Sequence, residues 1–130
     1  MNVTFHRAFD MATDQDKALK DIIYAGCARI LTSGGRQTAH EGIEKLAQLV
    51  KLAGDEISIM PGSGVNLTNV KQIAEYTGTR EMHLSARSFI PGKMKFKQPA
   101  VTMGGTATIP DYDLQLPDEK MIRDIISLFA

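Results

Sequence analysis

Gly26-Cys-Ala-Arg-Ile-Leu-Thr-Ser-Gly34, Gly54-Asp-Glu-Ile-Ser-Ile-Met-Pro-Gly62 and Gly78-Thr-Arg-Glu-Met-His-Leu-Ser-Ala86 share one plan: a helix-stopping glycine, a strand-like centre, and a small residue eight positions on. A repeat of this kind predicts successive βα units. With the opening Val3-Thr-Phe-His-Arg7 strand the count is four, half of the eight that close a parallel barrel.

The segments between these strands read as amphipathic helices. The first spans about Asp14 to Ala25, opened by Thr13 and Asp16 and burying Ala18, Leu19, Ile22 and Ile23. Thr38 and Glu41 form a capping box for the second, which turns Ile43, Leu46, Ala47 and Val50 inward and stops at Gly54. Asn66 caps the third, over Val70, Ile73 and Ala74. A last helix follows Pro117, with Ile122, Ile125, Ile126 and Phe129 as its apolar face.

Aligning the repeats on their glycines assigns the two sheet faces, since side chains alternate along a strand. Ile30, Ser58, Met82, Thr32, Met60 and Leu84 fall on the helix-covered face. Arg29, Glu81, Leu31, Ile59, His83, Ser33 and Ser85 fall on the other. That second, mixed face suits a barrel interior, where polar groups pair across the lumen. The fold class is therefore α/β, a TIM-like (β/α) barrel of which four βα units, the second half, are present. Four parallel strands leave two edges and the would-be interior uncovered. A missing N-terminal half or a second copy would complete the sheet, and an independent four-stranded α/β layer is the third reading. The domain expected is one partial barrel over 1–130, irregular at about 88–116, where Pro91-Gly92, Gly104-Gly105 and Pro110 punctuate the chain, and helical from about 117.

Bulk properties narrow the function classes. The 130 residues carry 15 Lys+Arg against 15 Asp+Glu, so no strong field draws the chain to nucleic acid or an anionic membrane. No apolar run reaches the ~18 residues of a membrane span and no signal-peptide pattern leads the chain, which makes the cytoplasm the expected compartment. Cys27 is the only cysteine, which excludes an internal disulfide and any CxxC motif.

In βα folds the chemistry gathers at the C-terminal ends of the strands. There the sequence places His6, Asp10 and His83 as groups able to move a proton. Arg7, Gly34, Gly35, Gly62, Ser63, Gly64, Ser85 and Arg87 are the candidates for holding an anion. Gly62-Ser63-Gly64 corresponds to the loop after strand seven of a barrel, a common phosphate position, with Arg87 arriving from strand eight. For the strand histidines an internal hydrogen bond is the competing reading, and for each glycine turn a plain tight turn. His40 lies in a helix's first turn. No lysine ends a strand, which disfavours Schiff-base chemistry. The methionines are scattered, so core filling accounts for them better than thioether ligation of Cu(I), and no metal ligands are assigned.

Val3-Thr-Phe-His-Arg-Ala-Phe-Asp10, Arg29-Ile-Leu-Thr-Ser-Gly-Gly35, Met60-Pro-Gly-Ser-Gly64, His83-Leu-Ser-Ala-Arg87, Met94-Lys-Phe and Met103-Gly together resemble the C-terminal half of the CutC copper homeostasis proteins. The resemblance implies a cytosolic TIM-like barrel roughly twice this length, and with it copper, as Cu(I), as the bound or handled species. Copper binding in some members is attributed to cysteines of the N-terminal half, and nothing here matches those ligands. Two functions from different classes follow: copper homeostasis of the CutC type, without catalysis, or an enzyme acting on a small phosphorylated or carboxylated metabolite bound at the strand ends.

Overall fold

The computed structural model of the protein describes residues 1–101 and 111–130. Gly104-Gly105, Pro110 and Met103-Gly104, cited above, lie outside the described residues. The expected single domain divides into two compact units, 1–84 with 124–130, and 85–123.

The first unit is built on a parallel sheet in the order β1 (Thr4–Phe5), β2 (Arg29–Thr32), β3 (Ser58–Pro61). A short 3-10 helix (Arg7–Met11) follows β1, and α1 (Gln15–Tyr24), α2 (Ile43–Ala53) and α3 (Val70–Thr77) follow in turn. The cap of α1 is Asp14, whose Oδ1 accepts from Lys17 N at 2.9 Å, rather than Thr13. Thr38 and Glu41 do exchange the expected reciprocal bonds, each 3.3 Å, but around a turn that precedes α2. Likewise Asn66 organises the turn before α3, accepting from Thr68 N at 2.9 Å. Leu19, Ile22, Leu46, Leu49, Val70 and Ile73 are buried with Ile30 and Ile59 of the sheet.

The β2–β3 register corrects the glycine alignment by one residue. Arg29 pairs with Ser58, Ile30 with Ile59, Leu31 with Met60 and Thr32 with Pro61. The cause is a loop of different length: a turn in which Glu56 N bonds Ala53 O delays β3 until the fourth residue after Gly54, whereas β2 starts three after Gly26. Because side-chain period is two, a one-residue slip exchanges the faces. Ile30 (0%), Thr32 (0%), Ile57 (5%) and Ile59 (4%) are buried. Ser58 and Met60 instead share the half-exposed face with Arg29 and Leu31.

A fourth expected strand, around Glu81–Leu84, runs beside β3 without forming a regular ladder. His83 N donates to Pro61 O at 2.9 Å, while the Thr79 hydroxyl takes the Ile59 carbonyl. Pro61 has no N–H to return on that side, so the ladder lacks a rung.

At the N-terminal ends of the strands Glu81 clamps the sheet. Its carboxylate accepts from Arg29 Nε and Nη2, both at 2.7 Å, and from Ser58 Oγ at 2.7 Å. Arg29 and then Ser58 hold the Glu81 carboxyl down at about 2, against 4.5 ordinarily. A depressed carboxylate stabilises the fold above its unfolded value, and that contribution is lost as pH falls from about 4.5 through about 2. The side chain is 36% exposed, so solvent screening limits Glu81→Gln to an expected loss of about 1 kcal/mol at pH 7. Urea unfolding of both proteins at pH 7 and pH 3 checks this, the gap narrowing at the lower pH.

The second unit contains β4 (Arg87–Pro91) antiparallel to β5 (Asp113–Pro117). The stretch expected to be irregular over 88–116 thus has a strand at each end. Its signal is weak because each strand has only five residues and its partner is remote in sequence. Arg87 pairs with Pro117 and Pro91 with Asp113, so each proline closes its strand. The last helix, α4 (Glu119–Ser127), begins close to where Pro117 predicts, with Asp118 Oδ1 accepting from Met121 N at 3.0 Å. Of its expected apolar face only Ile125 is buried, while Ile122, Ile126 and Phe129 are exposed.

Candidate functional site

Two of the expected groups, the Asp10 carboxylate and the Ser33-Gly34-Gly35 loop, meet at the C-terminal end of β2. The 3-10 helix after β1 presents Asp10 to the loop, and His6 caps that helix by accepting Ala8 N on Nδ1 at 3.0 Å. Asp10 Oδ1 accepts from Thr32 Oγ1 at 2.5 Å, Ser33 N at 3.1 Å and Gly35 N at 3.0 Å. Its Oδ2 accepts from Arg7 Nε at 2.8 Å. The Ser33 hydroxyl lies 3.0 Å from Oδ2, accepts Arg7 Nη2 at 2.8 Å, and also faces the Arg36 carbonyl. It has one proton to give, so it serves one of those two acceptors at a time.

The cradle expected to hold an external anion is therefore filled by a carboxylate of the chain itself. Burial pushes the Asp10 carboxyl up, but the donors Thr32, Arg7, Gly35 and Ser33 outweigh it and hold the group below the ordinary aspartate value. An ionised carboxylate with this many donors is an acceptor and a clip, poorly suited to carrying protons at neutral pH.

The Gly62-Ser63-Gly64 loop ends β3. Ser63 has φ +79°, a left-handed conformation that a serine adopts only when its surroundings impose it. Its hydroxyl donates to Gln37 O at 2.8 Å and its carbonyl accepts Ala39 N at 2.9 Å, tying this loop to the one after β2. Gly62 packs closely against its neighbours: a Cβ there would stand 2.5 Å from Leu31 Cδ1, the end of a flexible side chain, and 3.3 Å from His83 Cβ. His83 is exposed on the open face beside it.

His6 and His83 do not form a pair. One follows β1 and the other lies beyond β3, so roughly three strand spacings, about 14 Å, separate them. Ser85 and Arg87 belong to the second unit, where Arg87 opens β4 and its Nη1 lies 3.4 Å from Gln115 Oε1. Thr32 and Gly42 are structural members of the site that sequence reasoning missed. Among the described residues no group of three or more His, Cys, Asp or Glu side chains gathers as metal ligands. A cavity of about 220 Å³ opens at the other end of the sheet, between Gly54-Asp55 and Gly78-Thr79-Arg80, remote from these loops.

Parallel strands, covering helices and polar side chains gathered at the strand ends define an α/β protein. The sequence profile of the CutC family matches residues 1–88. The chain belongs to the CutC family. A family protein CutC of Bacteroides thetaiotaomicron is 49% identical over 126 residues, covering 97% of this chain and 51% of the relative. The Vibrio cholerae relative is 43% identical over 130 residues, covering 100% and 51%. The crystal structure named "Putative Copper Homeostasis Protein CutC" from Streptococcus agalactiae superposes with a TM-score of 0.60 at 33% identity, covering 64% of this chain and 41% of that one. The chain spans about half the length of the curated relatives it matches.

Proposed function

We propose that the chain serves copper homeostasis in the cytosol as one half of a CutC-type barrel, its four βα units closing against a complementary α/β half. The observation that carries this is a parallel sheet with one face buried and the other half-exposed, in a chain that matches half the length of its relatives. Parallel sheets are ordinarily covered on both faces. The cover that fits is the part of a CutC polypeptide that this chain does not match, which can continue the sheet from the free edge of β1.

Mixing the chain with that part of the Bacteroides thetaiotaomicron relative, produced separately, tests the reading. Light scattering should find a one-to-one complex, and Leu31→Glu on the open face should abolish it. Under argon the complex should retain Cu(I) against a competing chelator. Failure to retain any Cu(I) would end the copper reading, and a homodimer that excludes the added half would give closure to a second copy.

The strained Ser63 supports a second reading, an enzyme that binds a small phosphorylated or carboxylated metabolite at Gly62-Ser63-Gly64, with His6 or His83 as its acid or base. Millimolar phosphate should then raise the melting temperature through binding to the folded state. An unchanged melting temperature discards that reading.

A further inference from the structure

We propose that the cavity at the N-terminal ends of the strands binds a free α-amino acid with an aliphatic side chain. It lies within the first unit, at the opposite end of the sheet from the Asp10 and Ser63 loops, and depends on neither reading given above. Its walls come from two helix-to-strand loops, Gly54-Asp55 with Ile57 after α2 and Gly78-Thr79-Arg80 after α3. Both glycines are helix caps at positive φ, and a Cβ added to either would meet nothing within 4 Å. The volume is about 220 Å³, below the ~300–1,000 Å³ of pockets that hold drug-sized ligands. That limits the occupant to something of amino-acid size.

The lining decides the chemistry. Asp55 and Arg80 bring opposite charges to one cavity, one from each loop. No ion pair joins them, and among the described residues no hydrogen bond engages either side chain. A ligand that satisfies both must itself carry both charges. Ser58 Oγ gives its proton to Glu81 Oε2, and Thr79 Oγ1 gives its own to Ile59 O or Glu81 O. A hydroxyl has one proton, so what these two have left to offer a ligand is an accepting lone pair. Gly54 and Gly78 also put the C-terminal ends of α2 and α3 on the cavity, where the helix dipoles favour a cation. An ammonium group therefore belongs with Asp55, Ser58 and Thr79, and a carboxylate with the planar fork of Arg80. Ile57 and Ile59, both buried, supply the apolar surface for a branched side chain such as that of leucine. Asp55 and Arg80 are exposed, so solvent screening should keep the affinity in the millimolar range.

The test is an NMR titration of the 15N-labelled chain with L-leucine. Millimolar leucine should shift the backbone amide signals of Asp55, Ile57, Thr79 and Arg80 and leave those of Gly34 and Gly35 in place. Asp55→Asn and Arg80→Gln should each weaken binding about tenfold, the effect of losing one charge-assisted hydrogen bond, and Arg36→Gln should leave it unchanged. Leucinamide and isocaproate, which delete one charge from the ligand instead of from the chain, should bind the wild-type protein about tenfold more weakly than leucine. That comparison holds even where a variant fails to fold. Amide signals that stay in place throughout the titration overturn the proposal. Equal affinity for leucine, leucinamide and isocaproate also overturns it, reducing the cavity to an apolar patch. Neither result bears on the copper reading.

Discussion

Asp10→Ala is expected to lower the unfolding free energy by about 3 kcal/mol at pH 7, since it leaves the buried Thr32 hydroxyl and Ser33 amide without this acceptor and strips the more exposed Gly35 amide and Arg7 guanidinium of theirs. The carboxylate side chain is only 7% exposed. Thr32 Oγ1, Ser33 N, Gly35 N and Arg7 Nε all converge on it. Asp10→Asn keeps one carbonyl oxygen but turns an NH₂ group toward donors, so it should recover only part of the loss. The pH dependence has a definite sign. Asp10 is held below its ordinary value in the folded chain, so its contribution is complete above the unfolded value of about 3.9 and is lost as pH falls through the lower, folded one. Urea unfolding followed by circular dichroism should therefore show a large gap between wild type and Asp10→Ala at pH 7 that shrinks toward pH 3. A gap under about 1 kcal/mol at pH 7 would mean that water replaces the carboxylate and the clip is dispensable.

The sequence makes the units legible because each announces itself locally. Gly26, Gly54 and Gly78 all stop helices, at φ of +78°, +53° and +72°, and of the expected apolar stripes Leu19, Ile22, Leu46, Val70 and Ile73 are buried while Ala18, Ile23, Ile43, Ala47, Val50 and Ala74 are half-buried. What glycine spacing cannot carry is the register. Asp55-Glu56-Ile57 holds one more residue than Cys27-Ala28, and that difference alone moves Met60 to the open face and Ile59 into the core. The β4–β5 pairing was equally hidden, since neither five-residue segment shows a sustained period and the pairing is not local. Of the site, the positions of Asp10, Arg7, Gly34 and Gly35 were readable as strand-end chemistry. Their mutual satisfaction was not, because it depends on a 3-10 helix whose side chains reach across to the neighbouring strand's loop. His6 and His83 read as a candidate acid–base pair until strand order put the width of the sheet between them.

Gly42→Ala is the second large loss expected, about 3 kcal/mol, and nothing in its local sequence advertises it. Ahead of α2 a glycine looks like a mere cost in helix propensity. In the fold its α-carbon lies against the loop that cradles Asp10: an added Cβ would overlap the Ser33 carbonyl oxygen and stand 3.2 Å from Gly34 Cα. Both obstacles are backbone, so no side-chain rotation relieves them. The reverse approach is as close, a Cβ on Gly34 falling 2.6 Å from Gly42 O. Gly78→Ala is the proper comparison, because its φ is +72° but nothing lies within 4 Å of an added Cβ. It should cost only the left-handed backbone term of about 1 kcal/mol. The excess at Gly42 measures the close approach itself. Pushing the Ser33-Gly34 backbone away also withdraws the amides that hold Asp10, so the two substitutions act on one structure. In a double-mutant cycle Gly42→Ala should cost clearly less once Asp10 is already alanine. Strict additivity would show that the α2 entrance and the Asp10 clip are independent, and that the loop between them can move without releasing the carboxylate.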